Sequence, residues 1–248
     1  MVVARPAAAD PRESAARGLR VTLLNRFELS HRGEVIAVAV PAQRLIAFLA
    51  IEGRPVLRTY AASVLWIDST EERAFGSLRS ALWRLRQVAA GLVEGTSRGV
   101  GLTTGVGVDL HEASACARRI CDDAVPTDQL DVDTGALSGD LLPDWYDDFI
   151  VLERERFREL RVRALECLCA RYTAVREFGP AMDAALAAVK TEPLRESAHR
   201  AAIRVHLAEG NQAEALHRYE SYRKLLRREL GLEPSSQIST LVAPLTLQ

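Results

Sequence analysis

The chain has 248 residues, 48% of them apolar and 26% charged. This is the composition of a soluble globular protein with room for one large domain or two ordinary ones. No apolar run approaches the ~18–20 residues that cross a bilayer, which argues against a membrane-spanning class. The net charge of −1 hides an asymmetry. Residues 1–100 carry 14 arginines against 9 acidic residues, a net +5, while the remainder carries 18 basic against 24 acidic residues, a net −6. A basic first part and an acidic second part suggest two domains with different partners.

Residues 1–17 are rich in Ala, Pro and Arg without periodicity and are expected to form a disordered leader. They lack the continuous apolar segment of a signal peptide. LRVTLLNRFEL (19–29) is apolar and β-branched and predicts a strand, interrupted at Asn25, a residue type that tolerates the left-handed conformation. HRGE (31–34) predicts a turn, and VIAVAV (35–40) a second strand. Helix follows. Pro41 suits the first turn, Leu45, Ile46, Leu49 and Ala50 form one stripe, and Gly53 is a natural stop. Thr59 is the expected N-cap of YAASVLWI.

STEERAFGSLRSALWRLRQ (69–87) predicts a helix over about 70–90, with Ser69 as N-cap and Glu72 completing a capping box. At ~100° per residue, Ala74, Phe75, Leu78, Ala81, Leu82, Leu85 and Ala89 share one face. Arg73, Ser77, Ser80, Trp83, Arg84 and Gln87 fall on the opposite half, with Arg79 and Arg86 on a flank. Residues 92–110, with interleaved Gly, Val, Leu and Thr, predict a hairpin. The glycines do not make a phosphate loop, because no G-x-x-x-x-G-K-[ST] or G-x-G-x-x-G context is present. A sheet, three helices and a hairpin give the order of a winged helix-turn-helix, in which the third helix enters the major groove and the hairpin is the wing.

From Trp145 onward the pattern is helical. Glu153 to Ala174 alternates charge around Phe157, Leu160, Ala164, Cys167 and Leu168. Breaks are expected at Gly179-Pro180 and Pro193. Helices are expected from Ser197 to Glu209 and from Gln212 to Leu230, with Gly210-Asn211 between them. Helix pairs about 34 residues apart point to tetratricopeptide-like repeats. The cluster Asp140, Asp144, Asp147 and Asp148 fits neither an EF-hand nor a paired-carboxylate motif, and is expected to favour the start of the next helix.

Chemistry has little foothold. His111, His199, His206 and His217 sit in no catalytic context. A zinc site from His111, Cys116 and Cys121 lacks a fourth ligand, so Cys116, Cys121, Cys167 and Cys169 are expected to be reduced thiols. No enzyme activity, metal or cofactor is expected.

The residues resemble a known family. The order LRV-LL-FEL, P-QRLIAFLAIEGRPV-R, LW and EERA-SLRSALWRLRQ is similar to the DNA-binding domain of the Streptomyces antibiotic regulatory protein (SARP) family, of the OmpR winged-helix type. Asp140-Leu141-Leu142-Pro143, Glu153-Arg154-Glu155-Arg156, Pro193-Leu194-Arg195-Glu196 and Leu230-Gly231-Leu232-Glu233-Pro234 resemble, in family order, the bacterial transcriptional activation domain. Asn25 stands where the family usually has Gly, and Ile67 where Pro is common. Longer relatives carry an ATPase module, so ATP binding is not expected of this region.

The fold class that follows is an N-terminal α+β winged helix-turn-helix over 18–110, then an all-α tetratricopeptide-like domain over 111–248. The resemblance implies a cytoplasmic, nucleoid-associated activator of a secondary-metabolite gene cluster. It would bind double-stranded DNA at promoter direct repeats as side-by-side subunits, a possible homodimer on DNA. It would recruit RNA polymerase holoenzyme through the sigma factor and core subunits. Candidate DNA contacts are Arg73, Ser77, Arg79, Ser80, Arg84 and Gln87 on the groove helix. Arg98 is placed at the wing tip for a minor-groove or phosphate contact, and Arg44 and Arg58 for phosphates. Trp83 is either a DNA neighbour or a plug covered by the wing or a neighbouring subunit. The alternative is a helical-repeat interaction protein whose winged helix binds protein.

Overall fold

The computed structural model describes residue 16 and residues 18–130 and 134–246. The expected leader at 1–17 therefore lies almost wholly outside the described residues. The chain divides into two compact units: residues 1–112 with 139–155, and residues 113–138 with 156–248.

The first unit opens with β1 (Leu19–Thr22), β2 (Glu28–His31) and β3 (Glu34–Val35). Leu19, Val21 and Leu29 are buried while Arg20 is exposed, the alternation of a sheet with one wet face. Asn25 takes φ 68° between the first two strands, as its sequence position suggests. Arg32 and Gly33, at φ 53° and 89°, turn the β2–β3 hairpin. The strand expected over 35–40 is reduced to Glu34–Val35. Val35 and Val40 are exposed, and the chain already enters α1 (Val40–Glu52) at Val40. With no core face to fill, β-branched residues alone do not hold a strand.

Helix α1 has Pro41 in its first turn and ends at Gly53, whose N–H donates to the Leu49 carbonyl. Leu45, Ile46, Phe48 and Leu49 are buried, each such side chain contributing ~1.5–3 kcal/mol relative to exposure. Strand β4 (Val56–Leu57) leads into α2 (Arg58–Leu65). Leu57 occupies the capping position of α2, so Thr59 already lies inside the helix and is not its cap. Helix α3 (Glu71–Val88) follows a short turn. Strands β5 (Val93–Gly95) and β6 (Gly99–Leu102) form an antiparallel hairpin, and β6 also pairs with β4. Strand β7 (Gly107–Val108) returns to the first sheet, parallel to β1.

The first unit does not end at residue 110. The Asn25 N–H donates to the Asp140 carbonyl at 2.7 Å, and the Leu142 N–H to the Leu23 carbonyl at 2.9 Å. The Gly139 backbone runs so close that an added Cβ would lie 2.8 Å from Asn25 Nδ2. Arg154 anchors this return by donating to the carbonyls of Leu141, Leu142 and Trp145. Trp145 stacks on Phe27, and Phe149 meets Phe48 edge-on. Compactness thus adds residues 139–155 to the first unit beyond the expected 18–110 span. Backbone pairing and two aromatic contacts hold 139–155 against the winged unit.

Two helices pass from one unit into the other. Helix α4 (Asp109–Ile120) is divided after Glu112, and α5 (Asp148–Ala174) after Glu155. The Asp109 carboxylate accepts from the Leu23 and Leu24 N–H groups at 2.8 and 3.0 Å, fixing the end of β1.

The second unit continues with α6 (Phe178–Thr191), α7 (Glu196–Glu209), α8 (Gln212–Leu230) and α9 (Ser236–Thr246). Ala164, Ala181, Ala184, Ala185, Ala188, Ala198 and Ala202 crowd one core with Val162, Leu165 and Leu168. Small side chains allow close helix approach. A second core joins Ile203, Tyr222, Leu226, Ile238 and Val242. The expected break at Gly179-Pro180 falls earlier, at Val175–Glu177, where Arg176 takes φ 63°. Pro180 sits in the first turn of α6, where a missing N–H costs nothing. His199 is buried, stacks on Tyr222 and bonds the Pro193 carbonyl at 2.9 Å, a structural role. Cys121 and Cys167 touch, Sγ to Sγ at 2.9 Å, as free thiols. Burial pushes the Cys121 thiol up to about 12. His111 bonds the Ala50 carbonyl, and the described residues contain no cluster of three or more metal-ligating side chains.

Candidate nucleic-acid interface

Helices α2 and α3, with the β5–β6 hairpin, build one surface of the first unit. Ala74, Leu78, Ala81, Leu82 and Leu85 bury the inner stripe of α3, as periodicity predicts. The expected capping box is absent. Thr70 occupies the capping position without a side-chain hydrogen bond, while the Ser69 N–H donates back to the Trp66 carbonyl. The turn after Trp66 consumes Ser69, so the helix starts one residue later than a Ser69 cap requires. Glu71 and Glu72 in the first turn still favour the positive end of the helix.

The outer stripe faces solvent. Arg73, Arg79, Ser80, Trp83, Arg84 and Gln87 are exposed, and Ser77 is half-buried. The Ser80 hydroxyl donates to the Gly76 carbonyl at 2.9 Å, leaving its lone pairs outward. Trp83 is 63% exposed, so among the described residues neither the wing nor another helix covers it.

The wing is ordered at its tip. Thr96 Oγ1 accepts from the N–H groups of Arg98 and Gly99 at 3.3 and 3.0 Å. The exposed Arg98 sits in this turn, and its carbonyl accepts from the Arg58 N–H at 2.9 Å. Arg58 lies in a crevice between α3 and the wing, shared with Arg86, Ala89, Val93 and Gly95. Its Nε is buried without a partner. An added Cβ on Gly95 would come within 3.2 Å of Arg58 Nη2, so the guanidinium lies close against the hairpin backbone there. Periodicity alone puts Arg86 on the flank of the helix. The wing that pairs it with Arg58 depends on tertiary packing, which a helical wheel does not carry.

Charges in this unit divide sharply. Arg20 pairs with Glu112, Arg26 with Glu28, Arg44 with Asp147 and Arg54 with Glu52. Among the described residues, the guanidinium groups of Arg73, Arg79, Arg84, Arg86 and Arg98 make no ion pair or hydrogen bond. Arg44, expected as a phosphate contact, belongs to the paired set. Its Nε donates to Asp147 Oδ1 at 2.9 Å, and a guanidinium so compensated is spent inside the unit. Asp147 likewise serves Arg44 while its carbonyl accepts from Ile150 and Val151 at the start of α5.

Beside the groove helix, the α2–α3 turn carries Ile67, 76% exposed, and half-buried Trp66. They line a cavity of about 560 Å³ with Tyr60 and Phe75. No helix among the described residues is long and apolar enough to cross a membrane.

Comparison with known proteins gives the family context. Residues 112–245 match the family model described as the bacterial transcriptional activator domain. The chain is 29% identical over 244 residues to the regulatory protein AfsR of Streptomyces coelicolor, covering 94% of this chain and 24% of that protein. It is 26% identical over 239 residues to AfsR of Streptomyces griseus, covering 92% and 24%. The chain thus spans about a quarter of the length of the curated relatives it matches. Its fold is similar to that of Mycobacterium tuberculosis EmbR, solved in complex with a low-affinity phosphopeptide. The TM-score is 0.73 at 20% identity, over 94% of this chain and 66% of that one. A winged helix followed by a tetratricopeptide-like array is the architecture on both sides of that comparison.

Proposed function

Because the chain belongs to the bacterial transcriptional activator domain family and is a SARP-type transcriptional regulator, we propose that its winged unit binds double-stranded DNA sequence-specifically to activate transcription. The observation that carries this reading is the outer stripe of α3. It is an exposed row of arginine, serine and glutamine whose cations have no partner among the described residues, while Arg20, Arg26, Arg44 and Arg54 of the same unit are paired. Guanidinium groups bond guanine edges in bidentate fashion and glutamine bonds adenine, each good pair giving ~1–3 kcal/mol of discrimination. Arg84 and Gln87 are the base readers in this scheme, with Arg73 and Arg79 beside them and Ser77 and Ser80 letting the groove close in. Trp83 packs on a sugar or a thymine methyl. Arg58 and Arg86 in the wing crevice, and Arg98 at its tip, hold phosphates or the minor groove.

The partner of the activating step is RNA polymerase holoenzyme, reached through its sigma factor and core subunits. The exposed apolar surface at Trp66 and Ile67 supports a protein contact beside the DNA face, because such patches mark interaction sites. Binding as paired subunits on promoter direct repeats, control of a secondary-metabolite cluster and a cytoplasmic, nucleoid-associated location complete the proposal. The two Streptomyces regulators, over the region they share with this chain, support it. A non-catalytic role agrees with this family context.

The test is a mobility-shift titration against salt, using promoter fragments from the neighbourhood of the gene. Binding through several phosphates weakens by orders of magnitude between 50 and 200 mM salt. Absence of salt-sensitive binding to any such fragment defeats the reading and leaves a winged helix that docks on protein.

A further inference from the structure

The second unit holds a cavity of about 370 Å³ between the end of α5 and the start of α7, in the size range of small-molecule sites. Cys169, Ala170 and Ala174 from α5, with Ala201 from α7, give it a floor of small apolar groups. Burial pushes the Cys169 thiol up to about 11, so the floor carries no charge at neutral pH. Glu166 also lines the cavity, but its carboxylate accepts from the Ser197 hydroxyl at 2.5 Å and lies 3.3 Å from Arg195 Nε. Its charge is compensated.

Arg200 and Arg204 line the same cavity one helical turn apart. Like charges at i,i+4 repel, so this spacing is unfavourable unless an anion comes between them. Arg204 makes no hydrogen bond or ion pair among the described residues. Arg200 donates from Nη1 only to the neutral amide oxygen of Gln237, and its Nε is shielded from solvent without an acceptor. The cavity therefore presents a neutral apolar floor beside two uncompensated cations.

We propose that the α5–α7 cavity is a binding site for a small carboxylic acid with an apolar body. The carboxylate sits between Arg200 and Arg204, and the body lies on Cys169, Ala170, Ala174 and Ala201. A small acid fits better than an acidic peptide because all the apolar lining lies within one cavity of single-ligand size, with the cations beside it.

The experiment is calorimetric titration of the full chain with octanoate and with 3-phenylpropanoate, and with octanol as the uncharged control. Saturable binding at submillimolar to millimolar acid is expected, at least tenfold tighter than octanol. Arg200→Gln and Arg204→Gln are each expected to weaken it about tenfold, the worth of one charge-assisted hydrogen bond. Ala201→Phe, which fills the floor, abolishes binding while leaving both arginines in place. A melting profile for each variant separates loss of binding from loss of fold. The proposal is overturned if neither acid binds at millimolar concentration, if octanol binds as well as octanoate, or if the arginine variants bind the acids unchanged. Capture of an acidic peptide alone, with no acid bound, likewise overturns it.

Discussion

Two surfaces of the molecule, one in each unit, treat their arginines in opposite ways. On α8, Arg223 and Arg227 close onto Glu233, and on the α5–α7 side Arg195 bridges Glu159 and Glu166. On α3, Arg73, Arg79 and Arg84 reach outward with no acid near enough to pair. The sequence around both is arginine-rich, so composition does not distinguish them. What differs is the placement of glutamate. In α3 the acids Glu71 and Glu72 stay in the first turn, where they serve the helix end and not the arginines further along. A surface that leaves its cations unpaired is held ready for an external anion. One that pairs them is closed to it.

This contrast predicts a graded series of effects. The largest is expected from Arg84→Ala combined with Gln87→Ala. Loss of two base contacts lowers specific DNA affinity by about 100-fold or more, with the melting profile unchanged. A loss of folding would instead place these side chains in the core. Next is Arg86→Ala, which removes a phosphate contact and not a base contact. It weakens binding evenly across DNA sequences and reduces the salt slope by about 1, measurable by titration at several salt concentrations. An unchanged slope would leave Arg58 alone in the wing crevice.

In the second unit a smaller effect is expected from pH. Burial holds the His199 imidazole below its usual value. The unfolded chain therefore binds a proton that the folded chain refuses. Stability is full above the ordinary histidine value of ~6.5 and falls as pH drops through that value toward the lowered one. His199→Phe, stacked on Tyr222 in the same way, should flatten this dependence in urea melts between pH 7 and 5. The smallest effect belongs to Glu233→Gln, which removes the acid that Arg223 and Arg227 share at the surface and leaves Arg223 its weaker partner Glu220. Neither DNA affinity nor melting midpoint should move measurably, because exposed pairs are screened by solvent. A rise in nonspecific DNA binding would show that merely unpairing arginines makes a DNA surface, and would weaken the comparison.

Much of this was legible in periodicity. The inner stripe of α3, the span of α8 and the left-handed Asn25 follow from residue spacing and type. The failures share a cause. Ser69 and Thr59 are good caps by type, yet each cap is decided by how the preceding turn or strand enters, which is geometry beyond the local window. VIAVAV satisfies strand preference, but Val35 and Val40 point to water and the pairing stops. Arg44 is a basic residue in a basic unit until Asp147, 103 positions away, takes its charge. The crevice that joins Arg58 to Arg86 exists only once the hairpin packs on α3. Local spacing reveals faces, whereas partners distant in sequence decide what a face is free to do.

The return of residues 139–155 to the first unit has a consequence for biosynthesis. When residue 112 leaves the ribosome the winged unit still lacks its last strand contact, the Trp145 ring over Phe27 and the Arg154 anchor. At translation speeds of ~5–20 residues per second, the wait for residue 155 is about 2–9 s. Throughout that interval the nascent chain exposes the backbone at Leu24 and the Phe48 ring of α1 that Leu141 and Phe149 later meet. The segment synthesised meanwhile, 113–138, belongs to the other unit. The order in which the polypeptide emerges therefore differs from the order in which its parts can be finished.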